Sequence, residues 1–264
     1  MAAIKNIESI NEMFQEGKEI DGFLIGKEVH RGGMAVLYEA TKEGILYPIL
    51  LKVPRVGRDQ PVESLIGFET ELTIMKALKS PYVPRLASAG NMARKPYIAM
   101  ERLEGQTLTD LIKAQGGKLD NIQQVVEIVA NIALAVASLH AQDIIHLDLK
   151  PDNILVGEDN RIALIDFGLA HHMHYPDLLV EQMRKGVGSA PYISPEQVMG
   201  MRNDWRSDIF AIGAVLYEML TGEFPFGSPA PLEDFAKECG WNRYPQELSA
   251  KKSPFGCKKL FYAA

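Results

Sequence analysis

The run His146-Leu147-Asp148-Leu149-Lys150-Pro151-Asp152-Asn153 and, after twelve intervening residues, Asp166-Phe167-Gly168 bring together side chains with proton-handling and cation-binding chemistry. Carboxylates such as Asp148 and Asp166 accept a proton or ligate a hard cation, the Asn153 amide adds a neutral oxygen donor, and the Lys150 ammonium holds an anion. A blander reading is two ordinary turns that happen to carry acids. Upstream, Lys52 follows the apolar run Ile49-Leu50-Leu51, and Glu69 and Glu71 lie on the helical stretch beyond it. Downstream, His171-His172-Met173-His174 supplies imidazoles, but no carboxylate or cysteine is spaced to complete a metal site, so the stretch reads as a mobile loop. Cys239 and Cys257 lack the paired spacing of a zinc site and read as free or buried thiols in a reducing compartment.

Positioning such groups takes a folded framework, and the composition supplies one. The chain has 264 residues, 47% hydrophobic and 23% charged, enough for one or two domains with a real core and far from the signature of disorder. Its 28 basic and 34 acidic residues leave a net charge of −6, which argues against nucleic acid or an anionic membrane as partner. Met1 to Asn11 carry charges and lack the apolar core of a secretory signal. The longest unbroken apolar run, Ile209 to Leu216, falls short of the roughly 18 residues that span a bilayer. No membrane segment and a cytoplasmic location are therefore expected.

Short apolar runs broken by turns between Ile20 and Leu51 predict a small antiparallel sheet. Leu65, Phe68, Leu72, Met75 and Leu78 mark an amphipathic helix over Ser64 to Lys79, stopped by Pro81 and Pro84. Tyr97 to Met100 reads as one more strand, and beyond Gly105 the pattern turns helical: Leu108 to Gln115, Ile122 to His140 and Ser207 to Leu220. The reading is two lobes that meet near Glu101 to Gly105, with an extension over 1–19, lobes over 20–102 and 103–250, and an atypical tail over 251–264.

The His146–Asn153 string and Asp166-Phe167-Gly168, in that order and spacing, resemble the catalytic and metal-binding loops of protein kinases. The resemblance runs from about Gly22 to Phe226 and is nearest to bacterial Hanks-type serine/threonine kinases. It implies an α+β, two-lobed fold with a small antiparallel-sheet lobe holding one helix and a mainly helical lobe, shortened at its C-terminus. It also implies transfer of the γ-phosphate of ATP to Ser or Thr hydroxyls of proteins, with Mg2+ as the cation. By it, Asp148 orients the hydroxyl, Lys150 steadies the phosphoryl group, and Asn153 and Asp166 hold metal. Lys52 grips the nucleotide, with Glu71 preferred as its partner and Glu69 as runner-up. Val29, Gly32, Gly33 and Leu37 bracket the nucleotide-covering loop. Met100 is the gatekeeper, Glu101 and Leu103 offer main-chain groups to adenine, Leu50 forms the roof and Leu155 the floor. Met75, Leu86, His146 and Phe167 form an apolar stack between the lobes. Ser194-Pro195-Glu196 resembles the end of the activation segment, and Asp208 the acid that anchors the catalytic loop.

Departures from the pattern shape further expectations. Two of the three glycines are missing from the covering loop, although Gly32-Gly33-Met34 is similar to a bacterial variant; a Walker-type loop is rejected, because Gly22 to Glu28 has neither its spacing nor its hydroxyl. Leu50 stands where the family has a small Ala, which lowers the roof. These features motivate the alternative of a pseudokinase scaffold; a small-molecule kinase is disfavoured by Ser194-Pro195-Glu196. Leu147 replaces the arginine that receives an activating phosphate, Tyr175 is the only hydroxyl between Leu169 and Gly188, and Ser189 takes the place of a substrate-positioning Thr. The segment is therefore expected to reach its working shape without phosphorylation. Only 68 residues follow Glu196, Tyr244 to Ser249 resembles the start of later helices, and Glu196 is expected to lack its late arginine partner.

Overall fold

Alternation along Ile49–Pro54 decides the layout of the first half of the chain. Ile49, Leu51 and Val53 bury into one apolar cluster with Phe14, Phe23, Ile25 and Tyr97, while Leu50, from the opposite face of the same strand, packs against a second, larger cluster. In the computed structural model, which describes residues 13–55, 62–179 and 188–227, this strand is β4 of a six-stranded antiparallel sheet. β1 (Glu19–Ile20), β2 (Phe23–Arg31), β3 (Ala35–Thr41), β4, β6 (Ile98–Glu101) and β5 (Leu86–Ala89) follow in that spatial order. The first helix, α1, spans Val62–Ala77 and buries Phe68, Leu72, Ile74 and Met75 in the larger cluster.

After Glu101 the chain leaves this sheet. β7 (Gln106–Thr107) pairs instead with β9 (Ile154–Val156), which pairs with β10 (Ile162–Leu164). Thr107 caps α2 (Leu108–Ala114), its hydroxyl accepting the Asp110 N–H at 3.1 Å. α3 (Ile122–His140) buries Val125, Ile128, Ile132, Ala135, Val136 and Leu139. By length and composition α3 is apolar enough to cross a membrane, a property that counting unbroken apolar residues overlooked; its inward face fills the larger core cluster. α4 (Pro195–Val198) is held by a reciprocal capping box between Ser194 and Gln197, and α5 (Arg206–Thr221) ends on Gly222 in the left-handed region. These elements match the expected sheet-plus-helix and helical halves.

The differences are local. α1 ends two residues before the expected Lys79, short of Pro81. β5 was unforeseen because Leu-Ala-Ser-Ala is short, small and half-buried throughout, with no alternation to read. His171 and His172 form β11, paired with β8 (Ile144–Ile145), and His172 stacks on Tyr175 with centroids 3.9 Å apart. The histidine run is thus a strand and turn built into the fold rather than a loose loop. Tyr244 to Ser249, both cysteines and the tail over 251–264 lie outside the described residues.

Candidate active site

Lys52 stands on a strand paired on both sides, opposite Leu37 on β3 and Ile98 on β6. Its Nζ lies 2.5 Å from Glu71 Oε2 on α1 and 3.2 Å from Asp166 Oδ1, a residue 114 positions away. Glu71 is buried, whereas Glu69 is exposed on the neighbouring face of the helix, so the helix phase selects Glu71. Burial opposes the Lys52 charge, but the Glu71 and Asp166 carboxylates outweigh it and push the ammonium above its ordinary value. Lys52 in turn holds Asp166 below the usual carboxylate range, against a smaller opposing effect of burial. Desolvation pushes Glu71 the other way, upward, despite the pull of Lys52. α1 meets the Asp166 turn at a glycine pair: a Cβ on Gly67 would lie 3.3 Å from the Gly168 carbonyl oxygen.

The His146–Asn153 loop is anchored from α5. Asp208, fully buried, accepts the backbone N–H groups of His146 and Leu147, each at 2.9 Å, and pairs with His140 Nε2 at 2.8 Å. Gln197 Nε2 donates to the Leu147 carbonyl at 2.7 Å. Leu147 and Asp166 both adopt positive φ, 62° and 63°, a conformation that side-chain-bearing residues keep only when their surroundings impose it. His146 and Phe167 pack with ring centroids 5.1 Å apart, and Met75, Phe167 and Leu86 belong to or border the same core cluster, as the expected stack requires.

Within this frame Asp148 is nearly buried and surrounded by donors. Lys150 Nζ reaches its Oδ2 at 2.9 Å and Ser189 Oγ its Oδ1 at 3.0 Å, while Lys150 also donates to Ser189 Oγ at 2.8 Å. Asn153 Nδ2 donates to the Asp148 carbonyl at 2.8 Å and to its Oδ2 at 3.0 Å, which turns the Asn153 amide oxygen away from Asp148. The structure thus joins Lys52, Glu71 and Asp166 in one group and Asp148, Lys150, Asn153 and Ser189 in another. Gln197 and His140 also serve the loop, yet their partners are 50 and 68 residues away and no local pattern marks them.

Leu37, Leu50 and Met100 share a sheet face with Lys52 through the registers Leu37↔Lys52 and Leu50↔Met100. Leu37, Leu50, Leu103 and Leu155 are each half-buried, with Leu155 on β9 opposite Thr107, and Val29 on β2 is exposed. The Glu101 N–H donates to the Arg85 carbonyl at 2.9 Å, so any main-chain contact from Glu101 to a ligand runs through its own carbonyl. Gly32 and Gly33 form the β2–β3 turn, closed by Gly32 N–H on the Ala35 carbonyl at 2.9 Å, and a Cβ on Gly33 would meet nothing within 4 Å. A separate apolar cavity of about 540 Å³ between α3 and α5 shares only His140 with these networks.

Glu196 keeps a hydrogen-bond partner from α5. It is half-buried and accepts the Ser207 hydroxyl at 2.9 Å, a residue that also receives Ser194 Oγ at 2.9 Å. The hydroxyl donor satisfies one carboxylate oxygen, and among the described residues no arginine pairs with Glu196.

Comparison with known proteins agrees with this geometry. The family model described as "Protein kinase domain" matches residues 23–252. A probable serine/threonine-protein kinase of Clostridium perfringens is 34% identical over 204 residues, 77% of this chain and 29% of that protein. The probable serine/threonine-protein kinase PknB of Lactococcus lactis is 35% identical over 216 residues, 81% of this chain and 34% of that protein. The serine/threonine-protein kinase PknB of Mycolicibacterium smegmatis is 32% identical over 216 residues, 80% and 34% respectively. The chain spans about a third of the length of these relatives. With the family model covering most of its length and the paired lysine and acid-bearing loops in place, the chain belongs to the protein kinase domain family.

Proposed function

We propose that this chain transfers the γ-phosphate of ATP to Ser and Thr hydroxyls of proteins. The observation that carries this reading is the three-way contact of Asp148, Lys150 and Ser189, in which one carboxylate is oriented by a lysine ammonium and a hydroxyl. An oriented acceptor beside a cation is what transfer to a hydroxyl needs, since catalysis here is mainly positioning and charge stabilisation. The names of the relatives support Ser and Thr as acceptors.

In this scheme the bond between the γ-phosphorus and the ADP oxygen breaks as the hydroxyl oxygen bonds to phosphorus, and the hydroxyl proton passes to Asp148. Lys150 offsets charge on the moving phosphoryl group, and Lys52, held by Glu71, grips the phosphates. Gly33 leaves open space where a side chain would stand, which suits close approach of phosphate oxygens to the turn. Members of the family use ATP and typically a divalent cation. Asp166 and the Asn153 amide oxygen, which is turned away from Asp148, are hard oxygen donors that fit such an ion, and we assign it as magnesium. When bound it would neutralise phosphate charge.

The test is ATP turnover with magnesium and a generic basic protein, comparing the chain with Asp148→Asn. Phosphoserine or phosphothreonine formed by the parent and lost in the variant is the expected result. No transfer by a parent chain that binds ATP tightly overturns the reading.

A further inference from the structure

Leu169 to Leu179 follows directly from the Asp166 turn and carries no serine or threonine. Besides the pairing of β11 with β8, a buried guanidinium ties it to the rest of the fold. Arg202, in the loop between α4 and α5, donates from Nε to Asp177 Oδ2 at 2.7 Å and from Nη2 to the Leu169 carbonyl at 2.9 Å. Both side chains are almost fully buried, at 8% and 10% exposure. The other Asp177 oxygen accepts the Leu179 N–H at 3.0 Å, and His171 Nδ1 lies 3.6 Å from Oδ2.

We infer that Arg202 is a positioning residue for phosphotransfer: with Asp177 it holds Leu169–Leu179 in the working arrangement, a built-in carboxylate doing what an added phosphate would otherwise do. This rests on the function proposed above. Both ends of the clamp reach the site. Leu169 adjoins Gly168 and the Asp166 turn, and between the clamp points β11 pairs with β8, which leads straight into His146, while Met173 N–H donates to the Asp143 carbonyl at 2.9 Å. Arg202 itself is rooted beside the loop: Met201 N–H donates to the Glu196 carbonyl and Gly200 N–H to the Gln197 carbonyl, each at 2.9 Å, and Gln197 grips Leu147. Leu147 is buried and offers no charge to the segment, so the cation on this side is supplied from position 202. A bidentate arginine sets direction as well as distance, which a lysine does not.

The experiment uses the full chain with Arg202→Gln, Asp177→Asn, the double variant, and Arg202→Lys. Amide hydrogen exchange over Ala170–Leu179 reads the clamp without needing turnover, and kcat and KM for ATP and protein substrate read its effect on chemistry. Each single change is expected to speed exchange in that stretch about tenfold while α3 and α5 keep parent rates. It should lower kcat by about tenfold with the KM for ATP changed less than about twofold. The double variant should be no worse than either single, because the two side chains act as one unit. Arg202→Lys should restore only part of the protection. Unchanged exchange over Ala170–Leu179, an equal rise throughout the chain, or full kcat in a chain whose segment has loosened overturns the inference. So does a requirement for phosphate on Tyr175 or Ser189. Selective loosening in the variants of a parent chain that itself transfers no phosphate overturns the proposed function and upholds the clamp.

Discussion

The Asp208 carboxylate accepts the backbone N–H of Leu147 at 2.9 Å, joining residues 61 positions apart in the chain. The same carboxylate takes the His146 N–H, so one fully buried side chain satisfies two amides of a loop that also carries a left-handed leucine. An asparagine in its place has one acceptor oxygen and turns an NH2 group toward an amide donor. Asp208→Asn is expected to cost about 3 kcal/mol of stability, measured by urea unfolding, because it loses a charge-assisted bond and leaves a buried donor unmatched. It should also lower kcat, since the displaced loop carries Asp148.

Breaking the Lys52 pair and erasing it should differ in size. Lys52→Met leaves the buried Glu71 without its cation and is expected to destabilise the fold by about 3 to 5 kcal/mol. Adding Glu71→Leu should recover most of that loss while phosphotransfer stays absent. Thermal unfolding and ATP turnover, measured on both variants, separate the two effects.

Ser189→Ala removes the hydroxyl shared by Lys150 and Asp148. The expected result is a fall in kcat of about 10²-fold, with ATP affinity unchanged, because a preorganised donor is lost away from the Lys52 group. Ser189→Thr should retain most of the activity. Steady-state kinetics with nucleotide-binding titration checks both.

Acid should reveal the Lys52–Asp166 contact. Lys52 holds Asp166 below its ordinary value of 3.8, so the folded chain gives up that proton more readily than the unfolded one. The sign follows: the contact adds stability at pH above 3.8, and the addition is lost as pH falls through the lower, folded value. Asp166→Asn should therefore be less stable than the parent at neutral pH by a margin that shrinks in strong acid. Chemical unfolding on both sides of pH 3.8 measures it.

Leu50 faces the same side of the sheet as Lys52 and packs half-buried opposite Met100. Leu50→Ala is expected to lower stability by about 2 kcal/mol, the low end for a large-to-small change in a core, and to tighten ATP binding by clearing the roof. Weaker ATP binding by calorimetry would show that Leu50 is itself a packing surface for the base.

The parts of this fold legible in the sequence are those with a local signal. The period of α1, the full extent of α3 and the string from His146 to Asn153 are all written in consecutive residues, and Glu71 follows once the helix phase is known. What stayed hidden was written in pairs of distant residues. Nothing near Arg202 points to Asp177, nothing near Gln197 points to the Leu147 carbonyl, and the histidine run became a strand only because Ile144 and Ile145 lie beside it. Ser207 as the partner of Glu196 was missed for the same reason: a short polar side chain on a buried helix has no pattern of its own.

The glycine pair Gly67 and Gly168 couples the mechanics of the two halves. With no side chain between them, α1 rides directly on the turn that carries Asp166, like two gear faces without a spacer. The helix that carries Glu71 and the turn that carries Asp166 therefore touch backbone to backbone, and a shift of one is felt by the other. A glycine inside a helix costs about 1 kcal/mol in propensity. Here that cost leaves no slack: a side chain at position 67 would have to move the Gly168 carbonyl by a few tenths of an ångström, so the fit of helix to turn is set by the absence of two atoms' worth of bulk.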